Sequence, residues 1–217
     1  PPPPPGPGAG AGGVLPAMPR ARRGRLLMRH YRAMRGRFGH RDWWPADTPF
    51  EVMVGAILTQ NTAWANVEKA MEGLRERGLL EPEHLARARL PSLASAIRPS
   101  GYFNQKAMRL RSMARHVRDA WDCDLGALFG RDTPEVRAEL LSLSGIGPET
   151  ADSMLLYAGG HPVFVVDAYT FRVCDRTGLA RGLDYAGLQG LFMDSLGHEA
   201  ELYNDFHAQY VELGKNF

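Results

Sequence analysis

The chain has 217 residues, 44% of them hydrophobic, and carries 26 Lys+Arg against 24 Asp+Glu for a net charge of +2. This is enough apolar material for a sizeable core in one large domain or two small ones. The longest apolar runs, such as Val163-Phe164-Val165-Val166, fall far short of the roughly 18–20 residues that cross a bilayer. Two cysteines, Cys123 and Cys174, make neither a disulfide framework nor a cysteine-ligated cluster. The composition excludes a membrane span and predicts a soluble, cytoplasmic protein.

The charge is unevenly spread. Residues 20–41 hold nine arginines and no acid, which leaves seventeen basic residues against all 24 acids elsewhere. A second acid-free stretch, 84–118, carries eight basic residues. Two concentrated cationic segments on a nearly neutral chain point to a polyanion partner, with a solvated helix face as the competing explanation. Only three lysines occur, so arginine carries most of the positive charge. Its guanidinium suits bidentate phosphate contacts.

Residues 1–13, PPPPPGPGAGAGG, lack the large apolar side chains that would offset ordering entropy. Roughly the first 19 residues are therefore expected to lie outside the fold. From there the apolar spacing is helical. Leu27, Tyr31, Met34 and Phe38 recur on one face, with arginines opposite. Thr48-Pro49-Phe50-Glu51 reads as an N-cap, a proline at the first helical position and an acid at the third. Phe50, Met53, Val54, Ile57 and Leu58 form the stripe that follows, and Gln60-Asn61-Thr62 breaks it. Val67, Ala70, Met71 and Leu74 carry the next helix up to Gly78. Thr133-Pro134-Glu135 repeats the helix-start pattern. Later stripes are Leu188, Leu191, Phe192 and Ser195, then Leu202, Phe206 and Leu213. Residues 163–166 read equally as a strand or as an extended connection. The prediction is an all-α chain of about eight to eleven helices, without internal repeats.

Residues 137–160, RAELLSLSGIGPETADSMLLYAGG, predict a helix ending near Leu143, a turn at Ser144-Gly145-Ile146-Gly147, and a second helix opened by Pro148. Glycines allow left-handed backbone angles and close approach in such a turn. The unpaired amides of the second helix's first turn could bind a phosphate oxygen without reading sequence. A ligand-free helix hairpin is the alternative.

At this point the sequence resembles the helix-hairpin-helix DNA glycosylases related to endonuclease III. Four stretches carry the resemblance, in order: Ala56-Ile57-Leu58-Thr59-Gln60-Asn61-Thr62, Gly101-Tyr102-Phe103-Asn104-Gln105-Lys106-Ala107, the hairpin, and Val163-Phe164-Val165-Val166-Asp167-Ala168-Tyr169-Thr170-Phe171-Arg172-Val173. It covers roughly residues 25–217. Trp43-Trp44-Pro45 and Gly147-Pro148-Glu149-Thr150-Ala151-Asp152 look most like the 3-methyladenine DNA glycosylase III branch.

The resemblance implies an all-α fold of two helical subdomains with a cleft between them. One would span roughly 48–160, with the hairpin at 137–158. The other would combine 20–47 with 161–217. It further implies a monomeric, nucleoid-associated repair enzyme acting on duplex DNA that contains a damaged, alkylated purine. Asp167 would be the catalytic carboxylate, with a helix N-cap as its alternative role. Glu149 stands where lyase members carry their lysine, and a glutamate forms no Schiff base. It could instead attract a cationic base, or only cap its helix. Gln60 and Tyr102 would wedge into the duplex as the base is everted. Gly145, Ile146, Gly147 and Thr150 would bind the strand. Trp43 and Trp44, with Trp64 as a third candidate, would stack on the base.

Many relatives continue past the segment matching Tyr210–Phe217 into a four-cysteine [4Fe-4S] loop, so such a cluster is expected only if the native chain runs on with four cysteines. The seven histidines are scattered, and none shows metal-ligand spacing. His207 reads as a core histidine. Competing functions are an endonuclease III-like glycosylase for oxidised pyrimidines and a non-catalytic helix-hairpin-helix DNA-binding module.

Overall fold

Helices form wherever the apolar spacing predicts them, and several short ones fill the intervals. The computed structural model describes residues 12–41 and 44–216, and these contain twelve α-helices. The count exceeds the predicted range because α4, α5 and α7 are helices of five to seven residues, too short to show a period. The described residues include no strand and only one isolated bridge, between Gly12 and Arg181. Two compact units divide the chain.

The first unit, Ala46–His161, holds α2 (Pro49–Leu58), α3 (Trp64–Arg75), α4 (Pro82–Arg87), α5 (Leu90–Ala96), α6 (Phe103–Trp121), α7 (Leu125–Phe129), α8 (Thr133–Ser142) and α9 (Pro148–Ser153). Thr48 caps α2 as its sequence predicts, its hydroxyl accepting from the Glu51 amide at 3.2 Å. Every residue of α2 from Phe50 onward is buried, so this apolar helix is the centre of the unit. The start of α8 differs from expectation. Asp132 is its N-cap, while Thr133 sits inside the helix and pairs its hydroxyl with His161 Nδ1 at 2.8 Å. A tertiary partner has taken the group that the local pattern assigns to the cap.

The second unit, Pro1–Pro45 with Pro162–Phe217, holds α1 (Arg20–Phe38), α10 (Ala168–Arg176), α11 (Tyr185–Ser195) and α12 (Ala200–Asn216). Its core is aromatic. Phe164 stacks on Phe192 with centroids 4.4 Å apart and meets Tyr203 and Phe206 edge-on at 5.5 and 5.8 Å. Such geometries add to the area term. The 163–166 run is thus an extended, fully buried plug rather than a strand. Gln189 satisfies its exposed backbone demand by donating to the Phe164 carbonyl at 2.7 Å. α12 is buried almost all round from Asp205 to Val211.

The leading residues depart from expectation as well. Within the stretch expected to stay outside the fold, Gly12 and Arg181 exchange two backbone hydrogen bonds, and Val14 and Leu15 donate to Gly178 and Leu179. Leu15 is fully buried. A single apolar side chain docked by backbone pairing leaves no periodicity to read. Residues 1–11 lie outside the described residues.

Candidate functional site

The hairpin is held from behind. Arg137 of α8 grips the fully buried Asp152 of α9 with two hydrogen bonds, Nε–Oδ1 at 2.7 Å and a second to Oδ2 at 3.1 Å. This fork fixes the two helices against each other. α9 runs on into a π-helical turn, Met154–Ala158. In the bend, Gly145 has φ 82°, which only glycine adopts without cost. Ser144, Gly145, Gly147, Pro148 and Glu149 are exposed, whereas Ile146 and Thr150 point inward, 6% and 7% exposed. Ile146 and Thr150 therefore anchor the turn, and what they could offer a strand is backbone.

Gln60 follows α2 and is tied to this hairpin. Its amide nitrogen donates to the Gly145 carbonyl at 2.9 Å and to Thr150 Oγ1 at 3.0 Å. Its oxygen accepts from Arg109 of α6 at 2.6 Å. Tyr102 contrasts with it. The side chain is 69% exposed, and the backbone is left-handed at φ 44°, ψ 30°. Asn61, next to Gln60, is also left-handed. Asparagine tolerates that region, whereas a bulky tyrosine is strained there, and strain of this kind collects at working loops.

One residue binds the two loops together, and sequence reasoning did not assign it this role. Lys106 is 1% exposed. Its three protons go to the Leu58 carbonyl (2.8 Å), Thr62 Oγ1 (2.6 Å) and the Ser100 carbonyl (2.7 Å). Burial, aided by the Arg109 charge, lowers its amine to a pKa of about 8.

In the other unit, the buried plug delivers Asp167 to the start of α10. Its Oδ1 accepts from the Thr170 amide at 2.7 Å and the Thr170 hydroxyl at 2.9 Å, and the Asp167 amide faces that hydroxyl in a capping box. The N-cap role is therefore real. The second oxygen, Oδ2, faces His207 Nε2 of α12 at 3.5 Å. Burial pushes the carboxyl up, but the nearby His207 ring and the Thr170 donors together hold it below the usual range. It is a partly buried anion, the form that can face a developing cation.

Trp44 is half-buried, and Trp43 lies outside the described residues. The backbone leading to them is fixed by α12: Asp205 Oδ1 accepts from the Arg41 amide at 3.0 Å, and Gln209 donates to the Gly39 carbonyl at 2.7 Å. Trp64 opens α3 in the first unit and donates to Glu68 one turn on, at 3.0 Å. The arginines at 20, 25, 29 and 32 line a groove of about 690 Å³ on α1, closed by Ser195 of α11. Cys123 lies in the first unit and Cys174 in the second. Burial raises the Cys174 thiol to about 12. Two thiols, one this reluctant to ionise, do not fit the four thiolates of a [4Fe-4S] cluster. No helix of the described residues is long and apolar enough to cross a membrane.

An all-α chain with a glycine hairpin between two helices and a capped aspartate after an extended plug defines a DNA-repair fold. The chain belongs to the HhH-GPD superfamily of base excision DNA repair proteins, whose family model matches residues 54–190. It is similar to the Methanocaldococcus jannaschii protein named Putative DNA repair glycosylase MJ1434, 41% identical over 88% of each chain. It is also similar to endonuclease III of Haemophilus influenzae, 35% identical over 78% of this chain and 75% of that one. Among solved structures, it resembles the Helicobacter pylori 3-methyladenine DNA glycosylase MagIII bound to 1,N6-ethenoadenine. That match has a TM-score of 0.76 and 29% identity, covering 92% of this chain and 98% of the other. Its fold is that of the endonuclease III-like DNA glycosylase family.

Proposed function

We propose that the protein is a monofunctional glycosylase that removes an alkylated purine from duplex DNA, acting as a monomer. The observation that carries the reading is the residue pair Glu149 and Asp167. Glu149 occupies the first turn of α9, where a lyase would need an amine, and Asp167 is a partly buried anion. Leaving-group departure from the sugar builds oxocarbenium character, and a fixed carboxylate stabilises it while orienting the attacking water. An alkylated purine already carries positive charge and needs little acid catalysis. It needs recognition, which tryptophan faces supply at about 0.5–2 kcal/mol per ring; Trp43 and Trp44 are the candidates. The hairpin backbone at Gly145 and Gly147 would hold a phosphate, and Gln60 and Tyr102 would fill the gap left by the everted base. The likeness to MagIII supports the purine reading.

The test is a panel of duplexes carrying methylated purines, deaminated bases or oxidised pyrimidines, assayed for free base and for strand cleavage. Base release from methylated purine without cleavage, and without a borohydride-trapped covalent complex, is expected. Trapping with an oxidised pyrimidine would establish the alternative that the Haemophilus endonuclease III likeness supports.

A further inference from the structure

The two oxygens of Asp167 have separate tasks. Oδ1 is consumed by the cap, taking both Thr170 donors. Oδ2 is the oxygen left to face a substrate, and what lies beside it is an imidazole. His207 is 4% exposed, set between Phe206 and Ala208 on the buried run of α12. A titratable ring is a costly way to fill an aromatic core, where a phenyl would pack without desolvating polar atoms. Its Nε2 stands 3.5 Å from Oδ2.

Of the other charged or titratable groups on the two helices, Arg172, Asp205, Cys174 and Tyr210 have partners of their own. Arg172 of α10 donates to the Gly214 carbonyl and lies over the Tyr169 ring at 4.9 Å. Asp205 is engaged with Tyr31 and Gln209. Cys174 of α10 and Tyr210 of α12 are neutral neighbours of one another. His207 from α12 and Thr170 from α10 are what Asp167 meets.

We propose that His207 is a positioning residue for Asp167, fixing the orientation of the free oxygen and supplying the counter-charge that lets the partly buried carboxylate stay an anion. The proposal rests on the reading of Asp167 as the catalytic carboxylate. The largest single influence on Asp167 is burial, which favours the neutral acid, and the His207 contribution opposes it. Without His207, burial is opposed by the Thr170 donors alone. The carboxyl then titrates at higher pH, and Oδ2 loses its partner.

The experiment uses the full chain with the His207→Gln variant, whose amide reaches the same place without charge. Single-turnover base release from methylated duplex is followed against pH, beside affinity for a non-cleavable duplex. The acid limb is expected to move up by about one pH unit or more, equivalent to about tenfold in the ionisation equilibrium. The rate on the plateau should fall at least about tenfold, with duplex affinity unchanged within about twofold. His207→Lys, which restores the charge, should bring the limb back down. An unmoved acid limb in His207→Gln overturns the proposal, as does equal loss in the Gln and Lys variants.

Carboxyl NMR separates this result from failure of the functional reading. Asp167 should titrate higher in His207→Gln whether or not it catalyses. Should that variant not fold, His207→Asn takes its place in the same titration, and an unmoved Asp167 carboxyl there overturns the coupling. Near-normal turnover by Asp167→Asn would instead remove Asp167 from the chemistry.

Discussion

Arg109 packs so closely on Gly145 that a Cβ at position 145 would stand 2.2 Å from its Nε. The same guanidinium donates to Gln60, which in turn donates to the Gly145 carbonyl. The loop after α2, the first half of α6 and the hairpin are therefore one hydrogen-bonded assembly within their unit.

Gly145→Ala should break that assembly. The substitution meets both a positive φ and the Arg109 side chain, so Arg109 must leave and Gln60 loses its partner. Duplex affinity is expected to fall by about tenfold, with helix content retained. Fluorescence anisotropy on an undamaged duplex checks the first, and circular dichroism the second.

Asp167→Asn should lower single-turnover base release by about a thousandfold or more while leaving duplex affinity near its original value. The same carboxylate makes an acid-stability prediction. Its folded pKa lies below its unfolded value, so the ionised form stabilises the fold at neutral pH. That contribution is lost as the pH falls through the folded pKa. Asp205 behaves alike: burial raises it, and donors from Tyr31, Gln209, Arg41 and His40 bring it down. Acid unfolding followed by circular dichroism should therefore begin at a higher pH in Asp205→Asn than in the native chain.

Lys106→Met would leave the Leu58 and Ser100 carbonyls without their donor and should cost about 1–3 kcal/mol of stability at neutral pH. Lys106 titrates at about 8 in the fold against 10.5 for a free lysine, so the folded state gives up its proton first. Over that window the native chain should gain stability relative to the methionine variant as the pH rises. Urea melts at pH 7.5 and 10 measure the change.

Much of the site was legible because it is local. The turn glycines, Pro148 and the cap at Asp167 lie within a few residues of the signals that reveal them, and the stripe of α2 marks a central helix. What was hidden runs between distant residues. Lys106 reaches a carbonyl 48 positions away, and a main-chain oxygen has no side-chain signature. His207 was expected to be a core histidine. It is buried as a core residue would be, yet its partner is 40 positions earlier, and helical spacing cannot report what a ring faces. The misplaced cap at Thr133 has the same origin, since His161 lies 28 positions on.

Tyr102→Gly offers a trade. Relief of the left-handed backbone should raise stability by about 1 kcal/mol. Loss of the exposed ring should slow release of a paired lesion more than release of the same base in a single strand, since only the duplex leaves a gap to fill. Thermal melts and parallel assays on the two substrates check both halves.

Charge reversal at Arg25, Arg29 and Arg32 tests the groove on α1. If phosphates lie there, the slope of log affinity against log salt should become shallower by about one unit for each phosphate no longer neutralised. An unchanged slope would leave those arginines as a solvated face.

Asp205, His207 and Gln209 occupy alternate positions along α12: the first and last hold the Gly39–Arg41 backbone, and His207 faces Asp167. A slight rotation of that helix would disturb the Gly39–Arg41 backbone and the ring facing Asp167 together. Under the proposed function, substitution within α12 is thus a route by which lesion preference and turnover drift in concert while Trp44 and Asp167 stay unchanged.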